Sequence, residues 1–78
     1  MEIKERLQEI FRDVFDDEEL EIRDDMSAKD IEDWDSLAQI NLIIAMEKEF
    51  GVKFNLEEVA KLKNIGEMLV QIRIKLGE

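Results

Sequence analysis

Trp34-Asp35-Ser36-Leu37-Ala38-Gln39-Ile40-Asn41-Leu42-Ile43-Ile44-Ala45-Met46-Glu47-Lys48-Glu49-Phe50-Gly51 is the stretch on which the reading of this chain turns. It opens on two adjacent residues that can each cap a helix, Asp35 and Ser36. It closes on Gly51, the residue type that most readily takes the left-handed conformation ending a helix. A helix from about Ser36 to Phe50 follows. Its apolar residues, Leu37, Ile40, Leu42, Ile43, Ile44, Ala45, Met46 and Phe50, cover more than one stripe. A central helix contacted on several sides is therefore expected.

The rest of the chain arranges itself around that helix. Upstream, Ile3, Leu7, Ile10, Phe11, Val14 and Phe15 recur at helical spacing and predict an amphipathic helix with one buried stripe. Arg6, Gln8, Glu9 and Arg12 fall off the stripe, as a solvated face should. The period stops at Asp16-Asp17. No period persists from there to Asp35, although Leu20, Ile22, Met26 and Ile31 are scattered through the segment. A connection this long is uncommon unless functional or pinned by its own residues, and these four are expected to press it onto the bundle. Downstream, Asn55-Leu56-Glu57-Glu58 has the spacing of a capping box and predicts a short helix through about Lys61. Asn64-Ile65-Gly66-Glu67 repeats the signal. It opens a last helix with Ile65, Leu69, Ile72 and Leu76 on one face, ended by Gly77. The fold class read from the residues is all-α: a bundle of four helices with a long first loop and a short third helix.

Composition removes several kinds of function. The 78 residues make one small domain, expected over 1–78, with no room for a core plus a deep substrate cleft. With 45% hydrophobic and 41% charged residues, the chain is folded rather than disordered. It has no His, Cys, Thr, Tyr or Pro. Disulfides and thiolate metal sites are excluded, and general-base and nucleophile roles would fall to carboxylates and lysines with no cleft to tune them. An enzyme is not expected. No apolar run reaches the roughly 18–20 residues of a membrane span, and the start of the chain lacks a signal-peptide layout, so a cytoplasmic protein is expected. The net charge of −10 repels nucleic acid and favours partners with basic docking surfaces. Eleven acidic residues lie between Asp16 and Asp35, against Arg23 and Lys29 alone. From Asp24 to Asp35 the segment lacks the alternation, the turn glycine and the twelfth-position Glu of a calcium-binding loop. No dedicated metal site is expected.

Side-chain hydroxyl chemistry has two candidates, Ser27 and Ser36, and only Ser36 stands at a helix start beside a carboxylate. Ser36 and Gln39 have capping-box spacing, so the serine can be the cap. Asp35 is an equally good cap, which would leave Ser36 free for modification, where the helix dipole favours an added anion. The residues alone leave both readings open.

Asp35-Ser36-Leu37, followed by an apolar helix ending in Met46-Glu47-Lys48-Glu49-Phe50-Gly51-Val52, resembles the acyl carrier proteins over nearly the whole chain. The resemblance implies a bundle of the acyl-carrier type and a 4′-phosphopantetheine arm on Ser36, installed by a separate phosphopantetheinyl transferase. The arm ends in a thiol that holds acyl intermediates as thioesters. They would be delivered to an acyl ligase, acyltransferase or synthase in fatty-acid, polyketide or other specialised acyl biosynthesis. It also implies an apolar core that shelters a short or medium acyl chain, a monomer, and weak divalent cation binding at Asp30 and Asp35. Asp35 and Leu37 would belong to the recognition surface, with Ile40, Met46 and Glu47 on or near the recognition helix. Trp34 would be a packing residue or a platform for the arm or a partner. The chain departs from the fatty-acid type at Ala38, Gln39 and Asn41, where that type has acidic residues, and Glu47 is followed by Lys48. Fewer charges on this ridge weaken steering towards basic patches and imply a dedicated carrier. Two alternatives stand beside it: an aminoacyl, peptidyl or D-alanyl carrier of the same fold, and an acidic interaction module in which Ser36 is only a cap.

Overall fold

The computed structural model describes residues 3–77. They form α1 (Ile3–Val14), α2 (Ser36–Phe50), α3 (Leu56–Ala60) and α4 (Ile65–Lys75). The N-terminal stripe behaves as its spacing requires: Ile3, Leu7, Ile10 and Phe11 are buried, with Val14 and Phe15 packed partly against the core. α1 is the helix that packs on both α2 and α4. It ends where the period ends. Asp16 takes a left-handed conformation (φ 50°), and the Asp17 and Asp16 amides donate to the carbonyls of Arg12 (3.0 Å) and Asp13 (3.4 Å). That pair of bonds satisfies two of the last helical carbonyls.

α2 runs over the expected residues and stops at Gly51 (φ 65°), whose amide returns to the Glu47 carbonyl. Its packing differs from expectation. Only Ala38, Leu42, Met46 and Phe50 are buried, a single stripe spaced by four. Leu37, Ile40 and Ile44 are 66%, 54% and 50% exposed. The reason is a shortage of partners. α3 has five residues and buries none of them, so it cannot cover a second face of α2. The hub of the packing is α1.

The α1–α2 segment is fastened at many points. Ile22 and Met26 are buried, and Leu20 and Ile31 pack partly against the core, as the four apolar residues predict. Polar ties that the pattern did not reveal complete the work. The Arg12 Nε donates to the Leu20 carbonyl (2.7 Å), and the Ile22 amide donates to Gln8 Oε1 (3.0 Å). Gln8 and Arg12 are therefore tethers, not a solvated face. At its far side the segment meets the start of α4. The Ile65 amide donates to the Met26 carbonyl (2.9 Å), and the Gly66 amide to the Asp24 carbonyl (2.8 Å). A Cβ at position 66 would stand 3.0 Å from that carbonyl oxygen, so glycine permits the approach.

Both downstream caps form. Asn55 accepts from the Glu58 amide (2.8 Å) while Glu58 Oε1 accepts from the Asn55 amide (2.9 Å), closing a full capping box. Asn64 accepts from the Glu67 amide (2.8 Å). α4 buries Ile65, Met68, Leu69 and Ile72; Met68 joins the expected face, while Leu76 caps the helix and is only partly buried.

Candidate functional site

The start of α2 settles which residue is the cap. Asp35 has extended backbone (φ −106°, ψ −170°), and its Oδ1 accepts from the Ala38 amide at 2.9 Å. Ser36 is the first residue inside the helix. It is exposed, and among the described residues its hydroxyl has no side-chain hydrogen-bond partner. The reading of Ser36 as cap is thereby overturned.

Trp34 sets the position of this helix end. Its side chain is 6% exposed and meets Phe11 edge to face, with ring centroids 5.2 Å apart at 80°. The buried indole needs an acceptor. Its Nε1 donates to Gln39 Oε1 at 2.6 Å, and Gln39 Nε2 donates to the Leu62 carbonyl at 3.3 Å. This relay ties the segment before α2, the first turn of α2 and the α3–α4 connection into one unit. Gln39 is thus a connector rather than the second half of a box on Ser36. Asking where a buried Trp34 would find its acceptor could have pointed to Gln39 in the sequence.

Beside Ser36 lies an open cleft of about 590 Å3, lined by Ala28, Trp34, Asp35, Ser36, Gln39, Ile40, Leu62 and Lys63. A second depression, about 520 Å3, lies along α1 near Glu49. It holds no serine, and its one basic residue, Arg6, is engaged with the Glu49 carboxylate (2.8 Å) and carbonyl (2.7 Å).

Of the residues expected at a recognition surface, Asp35, Leu37 and Ile40 are exposed around Ser36. Trp34 and Met46 are not: both are buried, Met46 completely, because the first anchors the helix start and the second belongs to the core stripe of α2. Met46 offers a partner no direct contact, whereas Trp34 presents only its edge in the cleft wall. Glu47 is half-buried, and its Oε2 accepts from the Phe54 amide at 2.8 Å, holding the chain that leads to α3. The pattern missed Ile44, which continues the exposed ridge of Leu37 and Ile40. Residues 36–46 carry no charge at all, in a chain that is 41% charged.

Asp30 and Asp35 each spend one carboxylate oxygen on a backbone amide. Asp30 Oδ2 accepts from the Ser27 amide (3.0 Å) and Asp35 caps α2. No group of three metal-ligating side chains occurs among the described residues. The clearest electrostatic coupling lies elsewhere, between Lys75 Nζ and Glu58 Oε2 at 2.6 Å. That hydrogen bond, with the one from the Asn55 amide, holds the Glu58 carboxyl below its ordinary value. Among the described residues no helix is long and apolar enough to cross a membrane.

Comparison with known proteins agrees with this geometry. Residues 5–70 match the family model described as phosphopantetheine attachment site. An acyl carrier protein of Petrotoga mobilis is 39% identical over 64 residues, covering 82% of this chain and 75% of that protein. Polyketide-8 synthase acyl carrier protein 2 of Streptomyces avermitilis is 31% identical over 75 residues, covering 96% of this chain and 86% of its own length. The solution structure of a holo acyl carrier protein from Geobacter metallireducens superposes with a TM-score of 0.91 at 42% identity, covering 99% of this chain and 88% of that one. The chain belongs to the acyl carrier protein family, whose members are carriers of a covalently bound 4′-phosphopantetheine and not catalysts.

Proposed function

We propose that Ser36 is the attachment site of the 4′-phosphopantetheine arm, and that the chain, one carrier domain over 1–78, presents acyl groups to a small, dedicated set of cytosolic enzymes as a monomer. The observation that carries the reading is the division of labour at the start of α2. Asp35 holds the Ala38 amide, so Ser36 is left exposed with an uncommitted oxygen. Esterifying that oxygen removes no bond from the fold. The site fits the group: an accessible hydroxyl, the unpaired amides of a helix start, which favour an anion, and an open cleft alongside.

When bound, the arm supplies a terminal thiol that holds an acyl group as a thioester, chemistry that a chain without cysteine does not otherwise have. The protein's own residues orient and present. Trp34, Gln39 and Leu62 fix the first turn of α2, so Ser36 projects from a rigid base rather than from a loop. The chain has no His to deprotonate Ser36, and Oδ1 of the neighbouring Asp35 is occupied as cap.

The uncharged ridge of Leu37, Ile40 and Ile44 supports a dedicated ligase, acyltransferase or synthase as partner. Carriers with acid on this face would be steered by charge; here apolar contact must supply more of the specificity. The acyl carriers among its relatives favour an acyl cargo over an aminoacyl one, and both fatty-acid and polyketide routes suit the site. The test is to incubate the protein with coenzyme A and a phosphopantetheinyl transferase and to measure intact mass. One pantetheine adduct is expected on the wild type and none on Ser36→Ala. No adduct on either, or an equal adduct on both, would sink the reading.

A further inference from the structure

Lys63 stands out among the basic residues. It lies in the connection before α4, it lines the cleft beside Ser36, and among the described residues it is the only cation that does so. Among the described residues it forms no ion pair, and unlike Lys29, Lys48, Lys53, Lys61 and Arg73, which are also unpaired, it stands in the wall of the cleft. Its backbone is not adrift. The preceding Leu62 is buried, and the Leu62 carbonyl is held by Gln39, one turn into α2. Position 63 is therefore fixed relative to Ser36 through the same relay that fixes the helix start.

The segment that leads into Ser36 has the other sign. Glu32, Asp33 and Asp35 are exposed carboxylates, none of them in an ion pair among the described residues. A phosphodiester on Ser36 would carry a negative charge next in sequence to these acids and beside the cleft that Lys63 lines. Attraction to Lys63, the cation in the cleft wall, directs it over the cleft. The next group along a 4′-phosphopantetheine is a quaternary carbon bearing two methyls, which suits an apolar wall. The cleft offers one in Ile40 and Leu62, with the Gln39 amide already committed at both ends. Its volume of about 590 Å3 lies within the roughly 300–1,000 Å3 typical of small-molecule sites.

We infer that Lys63 is a positioning residue for the arm: its ammonium pairs with the phosphodiester on Ser36 and holds the proximal arm across the cleft between α2 and the α3–α4 connection. The inference rests on attachment at Ser36. It gives the loaded carrier a resting state in which the arm lies towards position 63 rather than sampling all directions. Because the pair is exposed, its grip is light, which suits an arm that must be handed to partners.

The test uses the holo protein, its loading verified by intact mass, with a nitroxide maleimide on the arm's thiol and amide relaxation measured by NMR. Paramagnetic broadening should concentrate on Ala28, Gln39, Leu62 and Lys63 and spare Phe50 at the far end of α2. In Lys63→Gln the docked population, read from that broadening, should fall by about 1.5- to 5-fold, the range for an exposed ion pair. Lys63→Arg should restore it, and salt near 1 M, where the Debye length is about 3 Å, should erase the difference. Apo-form spectra of the variants report any change in fold independently. Equal broadening in wild type and Lys63→Gln, or broadening without preference for the cleft, would overturn the inference while leaving attachment intact. Failure to load at Ser36 would remove both.

Discussion

The segment between α1 and α2 and the helix α2 that follows it invert what their compositions suggest. The segment carries eleven acidic residues between Asp16 and Asp35, yet Ile22, Met26 and Trp34 are buried in the core and its carbonyls and amides are bound by Arg12, Gln8, Ile65 and Gly66. α2 has no charge over residues 36–46, yet leaves Leu37, Ile40 and Ile44 bare. Covering one such side chain fully is worth roughly 1.5–3 kcal/mol, so the ridge forgoes stabilisation that a partner can recover. Burial here follows the supply of covering elements, not the apolar content of the residues covered. A polar segment laid across α1 and α4 becomes structural; an apolar helix with one long neighbour keeps a face for others.

The comparison breaks most visibly at Trp34. If the acidic segment is structural, Trp34→Ala should cost about 3–5 kcal/mol, the range for truncating a buried aromatic residue. That is a large share of the roughly 5–15 kcal/mol available to a domain. Urea unfolding followed by circular dichroism measures it. A loss under about 1 kcal/mol would mean that the segment only rests on the bundle. Trp34→Phe should recover part of the packing while leaving the Gln39 carbonyl without its donor.

The ridge should behave in the opposite way. Leu37→Ala with Ile44→Ala should shift stability by no more than about 0.5 kcal/mol per site, because neither side chain is packed. The same pair should lower kcat/KM for loading by a phosphopantetheinyl transferase by about tenfold, equivalent to about 1.4 kcal/mol of lost contact. Loading at the wild-type rate would show that the exposed face is incidental.

What could be read from the sequence divides along the same line. The ends of α2, the box at Asn55 and the cap at Asn64 are set by residues within one turn of each other, and spacing alone located them. The four apolar pins of the acidic segment were equally visible, because an isolated Ile or Met in a polar run has few other uses. The choice between Asp35 and Ser36 as cap was not visible. Both have suitable side chains, and the outcome depends on which residue holds the extended backbone. Nor could Gln8 and Arg12 be told from solvated residues, since their partners lie in the segment beyond α1. The bare face of α2 escaped for a related reason. Periodicity reports which residues are apolar, but not whether anything is long enough to cover them.

α3, the element too short to cover α2, offers the finest test of the comparison, because it is held from outside. Lys75, in the last turn of α4, bonds the Glu58 carboxylate at 2.6 Å and lies 5.5 Å from the Phe54 ring centroid. The bond to Lys75, then the Asn55 amide, lowers the pKa of Glu58 from its ordinary 4.5. A carboxyl whose folded value lies below its unfolded one contributes stability fully above the unfolded value. The contribution is lost as pH falls through the folded value. Glu58→Gln should therefore melt below the wild type at pH 7, keep that deficit down to about pH 4.5, and draw level with it in more acidic solution. The melting-temperature difference across that window is the measurement. A deficit that persisted unchanged into acid would assign α3's attachment to the neutral hydrogen bonds of its capping box rather than to the charge on Glu58.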